Sequence, residues 1–338
     1  MSWTRATLCD LDRGGRGREA WADIAKALSI ILLVLWTTVG PAVYANDLLI
    51  LARMPLFFFV SGLFAFRVVV RADALSFRRD RVGNLVYLYA LWTALLFLST
   101  RGVWHVLFDA PLPYWRQLQL FWDPPLTIWF LYALAIAFVL ARLLRGLPIW
   151  LVTLGVVAAY SAAVWTGDWR DMGFGERLVR LFPFFWLGLA SRPLVERFVE
   201  AAHRLWPIAL AGFFLAAALV LDGPLGAVGP VTLAVSLLGV AALLLLARRL
   251  ADFRASAPLA IVGASTLYVY VLQRIILFYL DQGFGALGLA GVGAGVTKAV
   301  IIVALATVAG RFAAAWPPTA WLFEAPWIRR PTSVAAPA

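Results

Sequence analysis

The sequence predicts an all-α polytopic membrane protein, with about ten transmembrane helices in one bundle and both termini in the cytoplasm. Three observations support this class. The chain is 63% hydrophobic and only 14% charged, with a mean hydropathy of +0.87. Long apolar runs recur from residue 22 to residue 316, which leaves no room for a soluble domain of ordinary size. The runs are continuous rather than alternating, which argues against a transmembrane β-barrel.

The apolar runs divide the chain into predicted spans and polar flanks. A polar cytoplasmic tail covers residues 1–20, a transmembrane domain residues 21–316, and a second cytoplasmic tail residues 317–338. Within the domain we expect helices at residues 22–40, 48–70, 83–100, 126–144, 148–166, 178–192, 205–221, 228–247, 258–280 and 290–315. The arginine-rich start and the long first run, without a small-residue cleavage pattern, predict a retained first helix rather than a signal peptide.

Basic residues favour one side of this topology. If both termini share a side, the tails and loops there hold 20 of the 29 basic residues, whereas the opposite loops hold Arg101, Arg116, Arg170, Arg177 and Arg180. The positive-inside rule then places both termini in the cytoplasm. The formal charge of +11 reflects this topology, so we expect no nucleic-acid partner.

Cysteine and histidine are too sparse for a metal centre. Cys9 is the only cysteine of the chain and lies in the N-terminal tail, which excludes a disulfide framework within the chain. His105 and His203 are far apart in sequence and outside the strongest apolar runs. We therefore expect no metal and no bound cofactor.

The largest external loop, residues 101–125, is rich in aromatic residues and contains His105. One interpretation is an interfacial segment that lies on the membrane. The other is a lid or a platform for the acceptor, since aromatic faces suit sugar rings and lipids.

The first predicted helix carries a cation and a polar cluster on nearly one face. Thr37 follows Lys26 by eleven residues, which is about 1100° of helix rotation and roughly 16 Å of rise. The Trp36-Thr37-Thr38 cluster is thus in line with Lys26 but deeper in the bilayer. This alignment indicates a site built lengthwise through the membrane.

Two further segments contain polar residues at membrane depth. Residues 54–66 read MPLFFFVSGLFAF after Arg53, and Pro55, Ser61 and Gly62 predict either a broken helix that lines a cavity or close packing through small residues. In the span at 258–280, Thr266, Tyr270 and Gln273 form one helical stripe. Arg53, Arg274 and Lys298 are costly in hydrocarbon, so each predicts a functional site or a snorkelling end residue.

Six segments in this order resemble the acyltransferase-3 family of integral-membrane acyltransferases, and most closely its bacterial branch of fucose 4-O-acetylase-like proteins. They are WADIAKALSIILLVLWTT at 21–38, MPLFFFVSGLF at 54–64, FRRDRVGNLVYLY at 77–89, PPLTIWFLYAL at 124–134, RLFPFFWLGL at 180–189 and GASTLYVYVLQRIIL at 263–277. The resemblance implies a ten-helix fold in a bacterial inner membrane, with acyl-CoA entering from the cytoplasm and chemistry within the bilayer.

The resemblance also assigns roles to residues, and here the chain departs from the family. Lys26 stands at the basic position of the first helix, but Thr37 replaces the histidine that should follow it. Gln273 replaces a second histidine. Neither threonine nor glutamine is a useful general base, although both can donate hydrogen bonds to an oxyanion or orient a ligand. Histidine-dependent transfer at position 37 is therefore excluded.

The remaining assignments concern the donor and the cavity. The basic loop after the second helix keeps Arg78, Arg79 and Arg81, while Leu88 stands where a proline is usual. With Lys26, these arginines fit the phosphates of coenzyme A, or they anchor the chain to anionic lipid. Thr37, Arg53, Ser61, Tyr270 and Gln273 would line the reaction cavity.

The sequence thus predicts an integral-membrane acyltransferase that transfers an acyl group, expected to be acetyl, from acyl-CoA to a hydroxyl of a cell-envelope carbohydrate or glycolipid. The alternative is a catalytically degenerate relative that acts as a transporter or binds an acyl or lipid ligand. Loss of both histidines favours the alternative. The retained basic loop and the MPLFFFVSGLF segment favour the enzyme.

Overall fold

The computed structural model describes residues 20–102, 106, 128–166 and 173–328. The N-terminal tail with Cys9, residues 103–105 and 107–125 of the aromatic loop including His105, and residues 329–338 lie outside the described residues. The regular structure of the described part is helical throughout. The helices are α1 Ala20–Val39, α2 Tyr44–Leu48, α3 Ile50–Leu63, α4 Ala74–Ser76, α5 Asn84–Phe97, α6 Trp129–Leu144, α7 Ile149–Thr166, α8 Phe174–Ala202, α9 Trp206–Leu221, α10 Gly229–Ala251, α11 Ala257–Ala264, α12 Thr266–Ala286 and α13 Gly291–Ala315.

Shorter helical pieces join these elements. Three are π-helical, at Arg67–Arg71, Phe77–Gly83 and Leu98–Gly102. Five are 3₁₀ turns, at Gly40–Ala42, His203–Leu205, Pro224–Ala227, Arg254–Ser256 and Ala320–Leu322. The chain therefore passes from one long helix to the next with its backbone groups largely satisfied by local hydrogen bonds, as a hydrocarbon environment requires.

The fold class is confirmed as an all-α membrane protein. Within the described residues six helical stretches are long and apolar enough to cross a membrane, and the bent pair α11–α12 raises this number to seven. Helices α6 and α7 are apolar but shorter. Each predicted span coincides with one of the helices or with the bent pair, whereas ten crossings and cytoplasmic termini stay predictions.

The loops that were predicted to share one side do lie together. Arg142 and Arg145 both donate hydrogen bonds to the carbonyl of Val69, at 3.1 Å each. Arg248 binds Glu200 at 2.9 Å, and so joins the end of α10 to the end of α8. We call this the basic end of the bundle, made of residues 64–83, 142–148, 192–205, 248–256 and 316–328. The other end, which holds α2, the start of α6 and the start of α8, is the opposite end.

Helices α3 and α8 cross in close contact because each has a glycine at the crossing. A Cβ added at Gly62 would lie 2.0 Å from the carbonyl oxygen of Phe185, and one added at Gly188 would lie 2.2 Å from that of Phe59. Glycines at such positions let helix backbones approach closely in membranes. The crossing joins two of the segments that carry the family resemblance, MPLFFFVSGLF and RLFPFFWLGL.

A broken helix at Pro55 and Gly62 is not what the structure shows. Helix α3 continues through Pro55 to Leu63, and Gly62 serves in packing. One missing N–H early in a helix is tolerated in membrane proteins when neighbouring groups compensate. The break occurs instead at Ser265, where α11 and α12 meet at a bend of 73°. Gly263 packs against the backbone of Asp23 there, close enough that a Cβ would lie 1.7 Å from its carbonyl oxygen.

Part of the predicted C-terminal tail is ordered against α5. The indole N–H of Trp92 donates to the carbonyl of Leu322 at 2.6 Å, and the hydroxyl of Tyr87 donates to Trp321 at 3.1 Å. The backbone N–H of Ala325 donates to the side-chain oxygen of Asn84 at 2.9 Å. We call residues 320–328 the C-terminal strap.

The close crossing of α3 and α8 leads to a stability prediction. We expect Gly62→Ala to lower the free energy of unfolding by about 1–3 kcal/mol, because the added methyl group must push the two helix backbones apart. Thermal melting of the purified protein in detergent, followed by intrinsic tryptophan fluorescence, measures the change.

Gly155→Ala is the matched control. Gly155 lies inside α7, and a Cβ added there meets nothing within 4 Å. The intrinsic preference of helices for alanine makes this change neutral or stabilising by up to about 1 kcal/mol. Equal melting curves for wild type and Gly62→Ala would contradict the packing argument.

Candidate functional site

A cavity of about 680 Å³ lies between α1, α2, α3, α6, α8 and α12, toward the opposite end of the bundle. Four of the residues predicted from the sequence line it, namely Thr37, Arg53, Tyr270 and Gln273. Its wall is completed by Leu33, Trp36, Gly40, Pro41, Asp47, Ile50, Met54, Trp129, Arg177, Leu181, Arg274 and Leu277. The structure therefore brings Thr37 and Gln273, the two residues that the resemblance assigns to histidine positions, into one space.

Arg53 is the most constrained charge in this cavity. Only 4% of the residue is exposed, and its guanidinium carbon lies 3.9 Å from the centre of the Trp36 ring. Its Nη1 donates a hydrogen bond to the carbonyl of Asn46 at 3.2 Å. The Arg53 backbone carbonyl accepts a hydrogen bond from the buried hydroxyl of Ser29 at 2.8 Å. Helices α1 and α2 thus fix the side chain through Trp36 and Asn46, and α1 also fixes the backbone through Ser29.

Thr37 lines the cavity, and its hydroxyl proton is used in a hydrogen bond within α1. Its Oγ1 donates to the carbonyl of Val34, one turn earlier in α1, at 2.8 Å. A threonine hydroxyl has one proton and two lone pairs, so in this rotamer Thr37 offers a ligand an acceptor rather than a donor. In the observed conformation it cannot donate to an oxyanion.

The polar stripe of α12 reaches the cavity in part. The hydroxyl of Tyr270 accepts a hydrogen bond from the backbone N–H of Phe130 at 3.1 Å. Gln273 is 6% exposed, and its Oε1 is buried without a hydrogen-bond partner among the described residues. Thr266 lies at the start of α12, donates to the carbonyl of Gly263 at 3.0 Å, and is not among the lining residues.

Three charged lining residues were not assigned to the site by sequence reasoning. Asp47 lies in the short helix α2, is 7% exposed, and its charge acts on Arg53. Arg177 places its guanidinium 5.7 Å from the centre of the Trp129 ring. Arg274, for which the sequence predicts either a functional site or a snorkelling end residue, is exposed and lines the cavity. An acidic residue six positions before Arg53, between two apolar runs, was the signal available for Asp47.

Ser61 is not among the lining residues. It lies two turns beyond Met54 on α3, toward the basic end and beside the Gly62 crossing. The prediction that it lines the cavity with Arg53 therefore does not match this arrangement.

Lys26 lies at the other end of α1, away from the cavity. Its Nζ pairs with Asp23 at 3.2 Å and lies 5.3 Å from the centre of the Phe64 ring. Arg192 contacts the same ring at 5.1 Å and pairs with Glu196 at 2.7 Å. Two cations thus flank Phe64 at the basic end.

The predicted arginine loop has its own neighbours. Arg79 donates from Nη2 to the carbonyl of Trp327 at 2.7 Å, and the Trp327 indole donates back to the Arg79 carbonyl at 3.2 Å. Arg81 lies 4.3 Å from the centre of the Phe138 ring. Arg78 is exposed and donates from Nε to the carbonyl of Ala74 at 3.3 Å. Arg78 and Arg79 are both exposed, whereas Arg81 is half-buried.

Asp73 begins this loop as a helix N-cap. Its carboxylate accepts hydrogen bonds from the backbone N–H groups of Ser76 and Leu75, at 2.9 Å each. These hydrogen bonds, first that from Ser76, hold the pKa of the exposed Asp73 carboxyl below its ordinary value.

No histidine is among the described residues that line the cavity. His203 lies at the basic end, with Nδ1 3.0 Å from the carbonyl of Glu200 and Nε2 3.8 Å from Asp252. Among the described lining residues, Asp47 is the group with a carboxylate that can accept a proton.

Comparison with known proteins identifies the family. The family model for the acyltransferase domain of the acyltransferase-3 family matches residues 19–316. No curated protein sequence and no solved structure is detectably similar to the chain. Because the family match includes every helix from α1 to α13, the chain belongs to the acyltransferase-3 family of membrane O-acyltransferases.

Proposed function

We propose that this protein transfers an acyl group, acetyl being the expected one, from acyl-CoA to a hydroxyl of a carbohydrate or glycolipid, and that the reaction takes place in the cavity beside Thr37. One observation carries the proposal. Residues from five of the six family segments line this cavity, namely Thr37, Met54, Trp129, Leu181, Tyr270 and Gln273.

Asp47 is the proposed proton acceptor. The acceptor hydroxyl attacks the thioester carbonyl carbon, its proton passes to the Asp47 carboxylate, and a tetrahedral oxyanion forms. When the oxyanion collapses, the carbon–sulfur bond breaks and Asp47 returns the proton to the departing CoA thiolate. A positioned base of this kind contributes about 10²–10⁴-fold to the rate.

Arg53 is the proposed oxyanion stabiliser. Its guanidinium keeps its positive charge and is held by Trp36 and by the carbonyl of Asn46, so it needs little reorganisation during the reaction. This role fits Arg53 better than Thr37, whose proton is donated to Val34.

The donor is proposed to bind at the basic end. Lys26, Arg78, Arg79 and Arg81 are the predicted contacts for the phosphates of coenzyme A, and Arg192 joins Lys26 at Phe64. Helix α1 connects the two regions, since Lys26 and Thr37 are about 16 Å apart along its axis. The thioester would thus reach the cavity while the charged part of the donor stays at the membrane surface.

A ligand-binding protein without turnover is the second candidate. It is favoured by the absence of histidine from the described walls of the cavity. Acyl transfer from radiolabelled acetyl-CoA by the purified protein in nanodiscs, tested across several sugar acceptors, separates the two. Binding of acetyl-CoA with no transfer and no hydrolysis would favour the second candidate.

Asp47→Asn tests the proposed base. We expect kcat to fall by about 10²–10⁴-fold, because the proton acceptor is removed. The KM for acetyl-CoA should stay within about twofold, because the proposed donor contacts lie at the basic end. Steady-state transfer rates in nanodiscs measure both constants.

Asp281→Asn is the matched control for Asp47. Asp281 is an acidic residue of α12 that pairs with Lys298 at 2.7 Å and does not line the cavity. Full activity in this control together with full activity in Asp47→Asn would exclude Asp47 as the base.

Two substitutions of Thr37 test whether the site has degenerated. We expect Thr37→Val to change kcat by less than about tenfold, because the hydroxyl proton is already used within α1. We expect the wild-type protein, with threonine at position 37, to be active. Activity that appears only in Thr37→His would instead identify a degenerate catalytic site.

Arg78→Gln tests the donor surface. We expect the KM for acetyl-CoA to rise by about two- to fivefold with kcat unchanged, since an exposed cation contributes modest uniform binding. Arg254→Gln, at another exposed position of the basic end, is the control that should leave KM unchanged. An effect of the same size in both variants would show a general surface potential rather than a donor contact.

A further inference from the structure

The described walls of the cavity hold more positive than negative charge. Arg53, Arg177 and Arg274 supply three guanidinium groups, against the single carboxylate of Asp47. Charges at membrane depth are expensive unless an opposite charge or a hydrogen-bonding group accompanies them. This arrangement favours a ligand that brings negative charge with it.

Arg274 is the cation best suited to meet such a ligand. Its side chain forms no hydrogen bond and no ion pair with the described residues, and it is exposed where it lines the cavity. Arg53, by contrast, is buried and already held by Trp36 and Asn46. A free guanidinium offers a planar fork that binds carboxylate or phosphate through two parallel hydrogen bonds.

The preceding residue of α12 supplies a second, independent observation. Gln273 is 6% exposed, lines the cavity, and its Oε1 has no hydrogen-bond partner within the described part of the chain. A buried polar atom without a partner is costly, and a ligand that satisfies it recovers that cost. The Gln273 Oε1 can accept a hydrogen bond, and the hydroxyl group of a sugar can donate it.

The shape and lining of the cavity suit a sugar ring. Its volume of about 680 Å³ is in the range of pockets that hold small organic ligands. Trp36 and Trp129 both contribute to its walls, and indole faces pack well against sugar rings. The lining therefore favours a ligand that carries negative charge, has hydroxyl groups and contains a ring.

We propose that the acceptor is an acidic sugar, in which a carboxylate or phosphate binds Arg274 and a hydroxyl donates to Gln273. This assignment rests on the proposed function and narrows its acceptor class. Arg177 is the second guanidinium on the cavity wall toward which the anion can extend. A neutral sugar would leave Arg274 without its counter-charge and should be the poorer substrate.

The same anionic chemistry also occurs in the phosphates of the donor. We assign the anion to the acceptor because Arg274 lies in the cavity, whereas the proposed donor contacts lie around Lys26 and Phe64 at the basic end. Substitution of Arg274 should therefore weaken binding of the acidic sugar and leave binding of the acyl donor unchanged.

Glucuronate, glucose 6-phosphate and glucose form a matched set of probes, since they share the ring and differ at one carbon. For the full chain in nanodiscs, we expect kcat/KM with glucuronate or glucose 6-phosphate to exceed that with glucose by roughly tenfold or more, the size of a hydrogen-bonded charge contact. Arg274→Gln should reduce that ratio to about one, and Arg274→Lys should restore part of it.

Direct binding separates this inference from the acyl transfer itself. Glucuronate binding without acetyl-CoA, followed by tryptophan fluorescence, should weaken by roughly tenfold in Arg274→Gln and should weaken with added salt. CoA binding should not change in this variant. Lys298→Gln, at a cation of the same end that pairs with Asp281 outside the cavity, is the control that leaves both unchanged.

The outcomes are distinct. Equal rates with glucuronate and glucose would overturn the acidic acceptor and leave acyl transfer intact. Glucuronate binding that depends on Arg274 with no transfer to any sugar would support the anion site and reject the proposed enzyme. A loss of CoA binding in Arg274→Gln, with glucuronate binding unchanged, would move the anion to the donor and overturn the inference.

Discussion

A guanidinium group that cannot easily lose its charge lies within a membrane helix, and the contacts of Arg53 are what allow it to stay there. The Trp36 face, the Asn46 carbonyl and the charge of Asp47 compensate it, and Ser29 holds its backbone. Trp36 and Ser29 belong to α1, and Asn46 and Asp47 belong to α2, so these two helices must keep a fixed arrangement with α3. The cavity between these helices is a consequence of that requirement.

The helices follow from the sequence because apolar runs of membrane length leave the backbone few other structures. Thr37, Arg53, Tyr270 and Gln273 could be recognised because each interrupts such a run with a polar group, and the family resemblance implied that they share one cavity. Asp47 could not be found in this way, because it lies before an apolar run rather than within it. Its importance depends on Arg53 lying nearby, and this proximity is known only from the tertiary structure.

The expected break at Pro55 and the observed break at Ser265 also show that tertiary contacts cannot be predicted from local sequence. Pro55 is a local signal for a break, yet α3 passes through it. The bend at Ser265 has weaker local signals and accompanies the packing of Gly263 on the backbone of Asp23. Local rules describe what a residue costs by itself, whereas the position of a break depends on which neighbour can approach. Ser61 is a similar case, because it lies beside the Gly62 crossing with α8 and is not among the lining residues.

The C-terminal strap has a consequence for how the protein is made. Trp92 and Tyr87 belong to an early helix, but their hydrogen-bond partners follow them by more than two hundred residues. While the intervening helices are being synthesised, the carbonyl groups of Trp321 and Leu322 are not yet available to them. The basic end therefore reaches its final packing only after the strap has left the ribosome, so the first half of the protein completes its folding after its own insertion into the membrane.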